Sequence, residues 1–197
     1  MQTMILMCLV LALAGCGDAS GQEKPTASAP AATYQGKTLD EWMVASRDND
    51  RGTQKQAVEA IATFDDDRAI VRLRELAKDE YFPLRMAAAH SLRGKDSVAS
   101  LRAYLTCLKD LDDLAAGMGG FDADPGARIV ILYQLPGLVT VCYQDSHHNV
   151  YEEAIQYMIE RSSGGSEIAK DTRKRLEFIL EECEPDRLAD LPAPYPD

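Results

Sequence analysis

Two stretches of this chain superimpose at an offset of 31 residues, and that repeat is its strongest constraint on folding. Leu39, Trp42 and Ala45 correspond to Ile70, Leu73 and Leu76. Asp48 then corresponds to Asp79. Ala57, Val58, Ala60 and Ile61 correspond to Ala88, Ala89, Ser91 and Leu92. Steps of three and four place each set on one helical stripe, so each unit reads as a pair of helices joined at an Asp-containing turn. A single pair cannot bury its apolar faces, whereas stacked pairs share a continuous core.

The pattern returns with wider spacing. Val98, Leu101 and Tyr104 start a third first helix, and Arg128 to Leu135 aligns with Arg85 to Leu92. A fourth pair covers roughly 150–159 and 168–180, with Arg173 in the place of Arg85. These residues resemble HEAT repeats of the short type, in which an Arg opens an Ala-rich second helix after an acidic turn. Gln54 departs from that pattern in the first unit. The resemblance implies an all-α fold, a short α-solenoid of about four helix pairs over residues 36–183, presenting an extended surface to a protein partner. An irregular helical bundle and a different helical repeat are the competing architectures. At the head of each second helix, Arg85 and Arg128 are expected to bridge acidic turns such as Asp79 and Asp124.

The N-terminus carries a different signal. Ile5 to Ala14 is apolar, about as long as a secretory core segment and too short to span a bilayer. It ends in Leu13-Ala14-Gly15-Cys16, which resembles the lipobox of bacterial lipoproteins, although no Lys or Arg precedes the apolar run. The resemblance implies that residues 1–15 are a signal peptide. It also implies that Cys16 becomes a lipidated N-terminus whose acyl chains, palmitate among them, hold the protein on the bacterial membrane surface. Gly17 follows the cysteine, which by the same resemblance permits the periplasmic face of the outer membrane in a Gram-negative cell. Residues 16–35 are rich in Gly, Ser, Ala, Pro and Thr and read as a disordered tether.

About 180 residues follow Gly15, enough for one continuous core without disulfide staples. The net charge of −11 argues against a nucleic-acid partner and against direct electrostatic docking on anionic lipid. Membrane contact would then fall to Cys16. Cys107, Cys142 and Cys183 show no CxxC spacing and read as buried thiols, with one disulfide left open. Trp42 and His90 read as structural.

Three further features bear on function. Residues 109–125 read as an acidic, Gly-containing insertion within the third unit, where Met118 and Phe121 are candidates for binding a partner protein. Its Asp spacing lacks the closing Glu of a calcium loop. Asp145, His147, His148 and Glu152 form the only cluster of metal-ligand types, and Ser146 reads equally well as a helix cap with these residues in solvent. No cofactor is implied. The Pro-rich tail 184–197, with Leu188 and Leu191, reads either as a cover for the last helix or as a linear ligand.

These features favour a membrane-anchored scaffold or adaptor of the bacterial cell envelope. An envelope enzyme, metal-dependent or otherwise, built on the Asp145/His147/His148/Glu152 cluster is the rival, and a purely structural envelope component with no dedicated partner is the third reading. Burial of acyl methylenes is worth about 0.8 kcal/mol each. Cys16→Ser should therefore move the protein from the membrane to the soluble fraction, and a variant that still sediments with membranes would remove the anchor.

Overall fold

The computed structural model describes residues 32–118 and 124–192. A two-stranded antiparallel hairpin, β1 (Thr33–Tyr34) and β2 (Lys37–Thr38), leads into α1 (Leu39–Ala45) and α2 (Arg51–Ile61). Then follow α3 (Asp67–Leu76), α4 (Phe82–Leu92), α5 (Ser97–Gly117), α6 (Pro125–Gln144), α7 (His148–Ser162) and α8 (Glu167–Cys183). A 3-10 helix at Pro185–Asp190 closes the described chain. The fold is an all-α helical repeat. Each helix packs on its neighbours in the chain; α1 also packs on α3 and α5 on α7 in an odd-numbered layer, α2 on α4 and α6 on α8 in an even-numbered one, and contact along each layer is weakest between the second and third pairs.

The 31-residue offset holds in space. Under it, α2 and α4 coincide end to end, and α1 and α3 finish together. The repeated aspartate does the same work twice. Asp48 Oδ1 accepts from the Asp50 amide at 2.9 Å, and Asp79 Oδ1 accepts from the Tyr81 amide at 2.8 Å. Each closes a side-chain turn that aims the chain into the second helix.

Acidic and hydroxyl residues begin most of the helices. Asp50, Asp66, Asp96 and Asp124 each accept from an amide in the first turn of α2, α3, α5 and α6. Ser166 does so for α8, and Thr38 forms a reciprocal capping box with Glu41. Each satisfies an amide that the helix cannot pair internally. Hydrogen bonds from Thr53 and from Arg68 hold the carboxyls of Asp50 and Asp66 below their ordinary range. A depressed folded value means that this stabilisation is complete at neutral pH and fades as pH falls through that lowered range.

Buried apolar residues run unbroken from Leu39 to Cys183. Trp42 occupies the expected core position and donates Nε1–H to the Tyr34 carbonyl at 3.0 Å. The hairpin is therefore part of the folded unit, although residues 33–35 fall within the stretch read as tether. At the other end Leu188 and Leu191 pack against the core. Arg173 donates to the Pro192 carbonyl at 2.6 Å, and the Tyr151 hydroxyl donates to Glu184 at 2.9 Å. As far as Pro192, the tail covers α8. Cys107, Cys142 and Cys183 are free buried thiols, and burial pushes Cys142 up to about 11.

The third unit departs most from expectation. Most of the segment read as an insertion is helix, because α5 runs to Gly117. The arginine bridges also form with different acids. Arg85 donates to the Asp79 backbone carbonyl and pairs with Asp110, while Asp79's carboxylate meets Arg51. Arg128 pairs with Asp112 at 2.7 Å, while Asp124 caps α6. Asp112 also takes Arg161 at 3.0 Å and the Tyr157 hydroxyl at 2.8 Å. Both acids, Asp110 and Asp112, sit on α5, which packs against α4 and α6 alike and so lies within reach of both arginines. His90 differs too: it is exposed on α4.

Breaking a buried ion pair by removing one partner typically costs about 3–5 kcal/mol, whereas an exposed pair contributes about 0–1 kcal/mol. The Asp112 side chain is 12% exposed and that of Arg128 is 7% exposed. Asp112→Ala should therefore destabilise the fold by about 3 kcal/mol in urea denaturation, and Arg51→Ala, at an exposed pair, by less than about 1 kcal/mol.

Candidate functional site

The exposed large apolar residues concentrate on α6 and its surroundings. Ile129, Tyr133 and Val141 share one face of α6 with Gly137, at steps of four, and Val130 lies beside them. Tyr133 is 70% exposed. Across the layer, Phe178 of α8 is also exposed, and the Arg175 guanidinium lies 5.1 Å from the centre of the Tyr133 ring. The opposite face of α6 carries Ile131, Leu132, Leu135, Leu138, Val139 and Cys142 into the core. The helix is thus apolar on both sides, and by length and composition alone it could cross a membrane. Its inner face is occupied by protein, which leaves the outer stripe to explain.

Pro136 and Gly137 interrupt this helix near its middle. Proline has no amide hydrogen to give to the Leu132 carbonyl, and glycine in a helix interior costs about 0.5–1 kcal/mol relative to alanine. Packing within the chain does not call for the glycine. A Cβ built on Gly137 meets nothing within 4 Å. Instead Gly137 lies on the wall of a cleft of about 410 Å³ lined also by Arg93, Ser97, Tyr133, Leu138 and Val141. Arg93 reaches across it to Gln134. The stripe and cleft together form a surface of exposed aromatic and aliphatic side chains with a bare stretch of backbone at its centre.

Met118 follows α5 as its capping residue and is 56% exposed. Because Asp112 near the end of α5 meets Arg128 near the start of α6, these helices are antiparallel, and Met118 lies at the same end of the hairpin as Ile129 and Val130. Leu114 is exposed on the last turns of α5. Phe121 and Cys16 lie outside the described residues. The α6 stripe was not singled out from sequence. Its signal was a helix apolar at nearly every position, more than one buried face can use.

The titratable cluster does not assemble. Glu152 pairs with Arg187 at 2.9 Å, and His148 stands edge-on to Tyr143 with ring centres 5.8 Å apart. His147, not Ser146, is the capping residue of α7, and Ser146 adopts a left-handed conformation with φ of 61°. Asp145 ends α6. Among the described residues, no group of three or more His, Cys, Asp or Glu side chains is disposed to hold a metal ion.

A second polar centre surrounds Asp112. It borders a cleft of about 340 Å³ with Arg128, Tyr157, Glu160, Arg161 and the start of α8. Burial, with the hydrogen bond to Asp112, raises the Tyr157 hydroxyl well above its ordinary range. The tyrosine is held protonated as a donor to a carboxylate already shared by two arginines. That arrangement suits bracing better than proton transfer.

Comparison with family models, with curated proteins and with solved structures finds no match.

Gly137→Ala should stabilise the isolated protein by about 0.5–1 kcal/mol, since the backbone is helical and the site is open. Thermal unfolding checks this, and a loss of stability would show that the glycine serves the chain's own packing. Zinc and chelator should leave the same transition unmoved.

Proposed function

We propose that this protein is a lipid-anchored scaffold of the bacterial cell envelope that binds another protein through the outer face of α6. The carrying observation is the uncovered stripe Ile129, Tyr133 and Val141, with Gly137 opening onto its cleft. In a chain of net charge −11, most of the surface is built to stay in water. A contiguous apolar patch on such a surface is a recurrent mark of an interaction site. Tyr133 is the natural anchor: aromatic residues dominate the energetics of interfaces, and its ring is already steadied by Arg175. Met118, at the same end of the helical hairpin as Ile129, extends the surface.

The anchoring half of the proposal rests on Leu13 to Cys16 and on the composition of the segment after it. The HEAT-like spacing adds support of its own, since stacked helix pairs offer extended surfaces for recognition. The enzymatic reading has less to stand on, because Glu152 is engaged by Arg187.

Crosslinking in intact cells of the native host tests the scaffold. The full-length protein should capture one dominant partner. The Ile129→Ser/Tyr133→Ser variant should lose it with an unchanged thermal midpoint, because both side chains are exposed. Undiminished capture by that variant would exclude the α6 face, and scattered background in both samples would exclude a dedicated partner.

A further inference from the structure

The odd-numbered layer carries a second groove of a different character. A cavity of about 700 Å³ lies between α3 and α5, bordered at one end by His147. Its walls hold Arg74, Lys78, Arg85 and Arg102, against one carboxylate, Asp96. The whole chain has the opposite balance, 32 acidic residues to 21 basic. This groove therefore reverses the sign of the protein around it.

Not all of these cations are available. Arg74 is bonded to Asp96, which also caps α5, and Arg85 is held by Asp110 and the Asp79 carbonyl. Lys78 and Arg102 make no ion pair among the described residues, and both are exposed. They stand on different elements, Lys78 in the turn just past the end of α3 and Arg102 on α5. Between them the lining is small and apolar: Ala77, Val98, Ala99 and Ala103. Such a floor lets a backbone come close, while cations on two sides ask for negative charge on what lies there. The volume falls within the range of ligand sites, about 300–1,000 Å³, and leaves room for a short stretch of chain.

We infer that this groove binds an acidic peptide segment of the partner protein, with Lys78 and Arg102 receiving its carboxylates. The inference rests on the scaffold reading and adds the chemistry of the partner. Charge complementarity of this kind selects among partners more than it adds raw affinity. A protein segment fits better than a lipid headgroup. Attraction to a lipid surface sums over a whole plane, where the net charge of −11 opposes approach. A groove acts within about one Debye length, roughly 8 Å at physiological salt, where the local cations dominate.

The test uses the full-length protein in detergent and a fluorescent eight-residue peptide alternating Glu and Ala, read by anisotropy. A matched peptide with Gln for Glu is the control. Saturable binding of the Glu peptide, weakened about tenfold or more by Gln and by Lys78→Glu/Arg102→Glu, is the expected result. The charge-conserving Lys78→Arg/Arg102→Lys variant should still bind. Thr106→Trp, an exposed change that fills the groove without altering charge, should block binding while the fold is retained. Equal binding of both peptides, indifference to charge reversal, or no saturation at about millimolar peptide would overturn the inference. So would a charge reversal that removes binding to phosphatidylglycerol vesicles and leaves the Glu peptide bound. If peptide binding behaves as expected but no partner is captured in cells, the scaffold reading fails and the groove stands. If cellular capture depends on Tyr133 and survives charge reversal of the groove, the scaffold stands and the groove falls.

Discussion

Two buried guanidinium groups govern how this chain must pack. Arg85 and Arg128 are each 6% exposed, and a guanidinium cannot shed its charge to suit an apolar setting. Each therefore needs a carboxylate brought to it, and both carboxylates come from α5. Asp110 and Asp112 are two residues apart, so a helix points them in widely separated directions, at about 100° per residue. Asp110 meets Arg85 on α4. Asp112 meets Arg128 on α6 and, from α7, Arg161 and Tyr157. One helix thus ties three neighbours, and it can do so only if it stays helical past Asp112.

That requirement shapes the middle of the stack. The second and third pairs join where α4 crosses α5. Ser100 gives its hydroxyl to the Ala89 carbonyl at 2.7 Å, and both residues are completely buried. Small side chains allow that approach. On one side of the joint lies the cleft beside Tyr133 and Gly137, and on the other the groove with Lys78 and Arg102. Both openings flank the same crossing. A solenoid that changes helix length between its second and third pairs, from 11 residues in α4 to 21 in α5, cannot keep uniform contact along both layers.

The parts legible in the sequence were those written by periodicity. The 31-residue offset carries the first two pairs, their turns and the core place of Trp42, because local spacing and capping determine them. The extent of α5 was hidden. Asp110, Asp112 and Asp113 suggest a solvated loop when read in isolation, and only distant Arg85 and Arg128 turn two of them into helix-bound partners. The same non-locality explains why the arginines were expected to reach Asp79 and Asp124 side chains. Composition alone places Tyr34 in the tether, because nothing near it in sequence reveals that its carbonyl accepts from Trp42. For the α6 face, the stripe is visible in the sequence as a helix with too many apolar positions. Which of them lie outside depends on where α5, α7 and α8 pack.

The acidity of the chain also reads differently once its carboxylates are placed. Asp50, Asp66, Asp96 and Asp124 cap helices, Asp48 and Asp79 close turns, and Asp110 and Asp112 hold the buried arginines. These eight of the 32 acidic residues are architectural, and the four at helix starts complement the positive end of the helix dipole. Two kinds of exposed side chain carry the proposed contacts. One is apolar, along Ile129, Tyr133 and Val141; the other is cationic, at Lys78 and Arg102. Each borders an opening at the same joint. Both surfaces therefore sit where the proposed partner contacts require them, on either side of the crossing of α4 and α5.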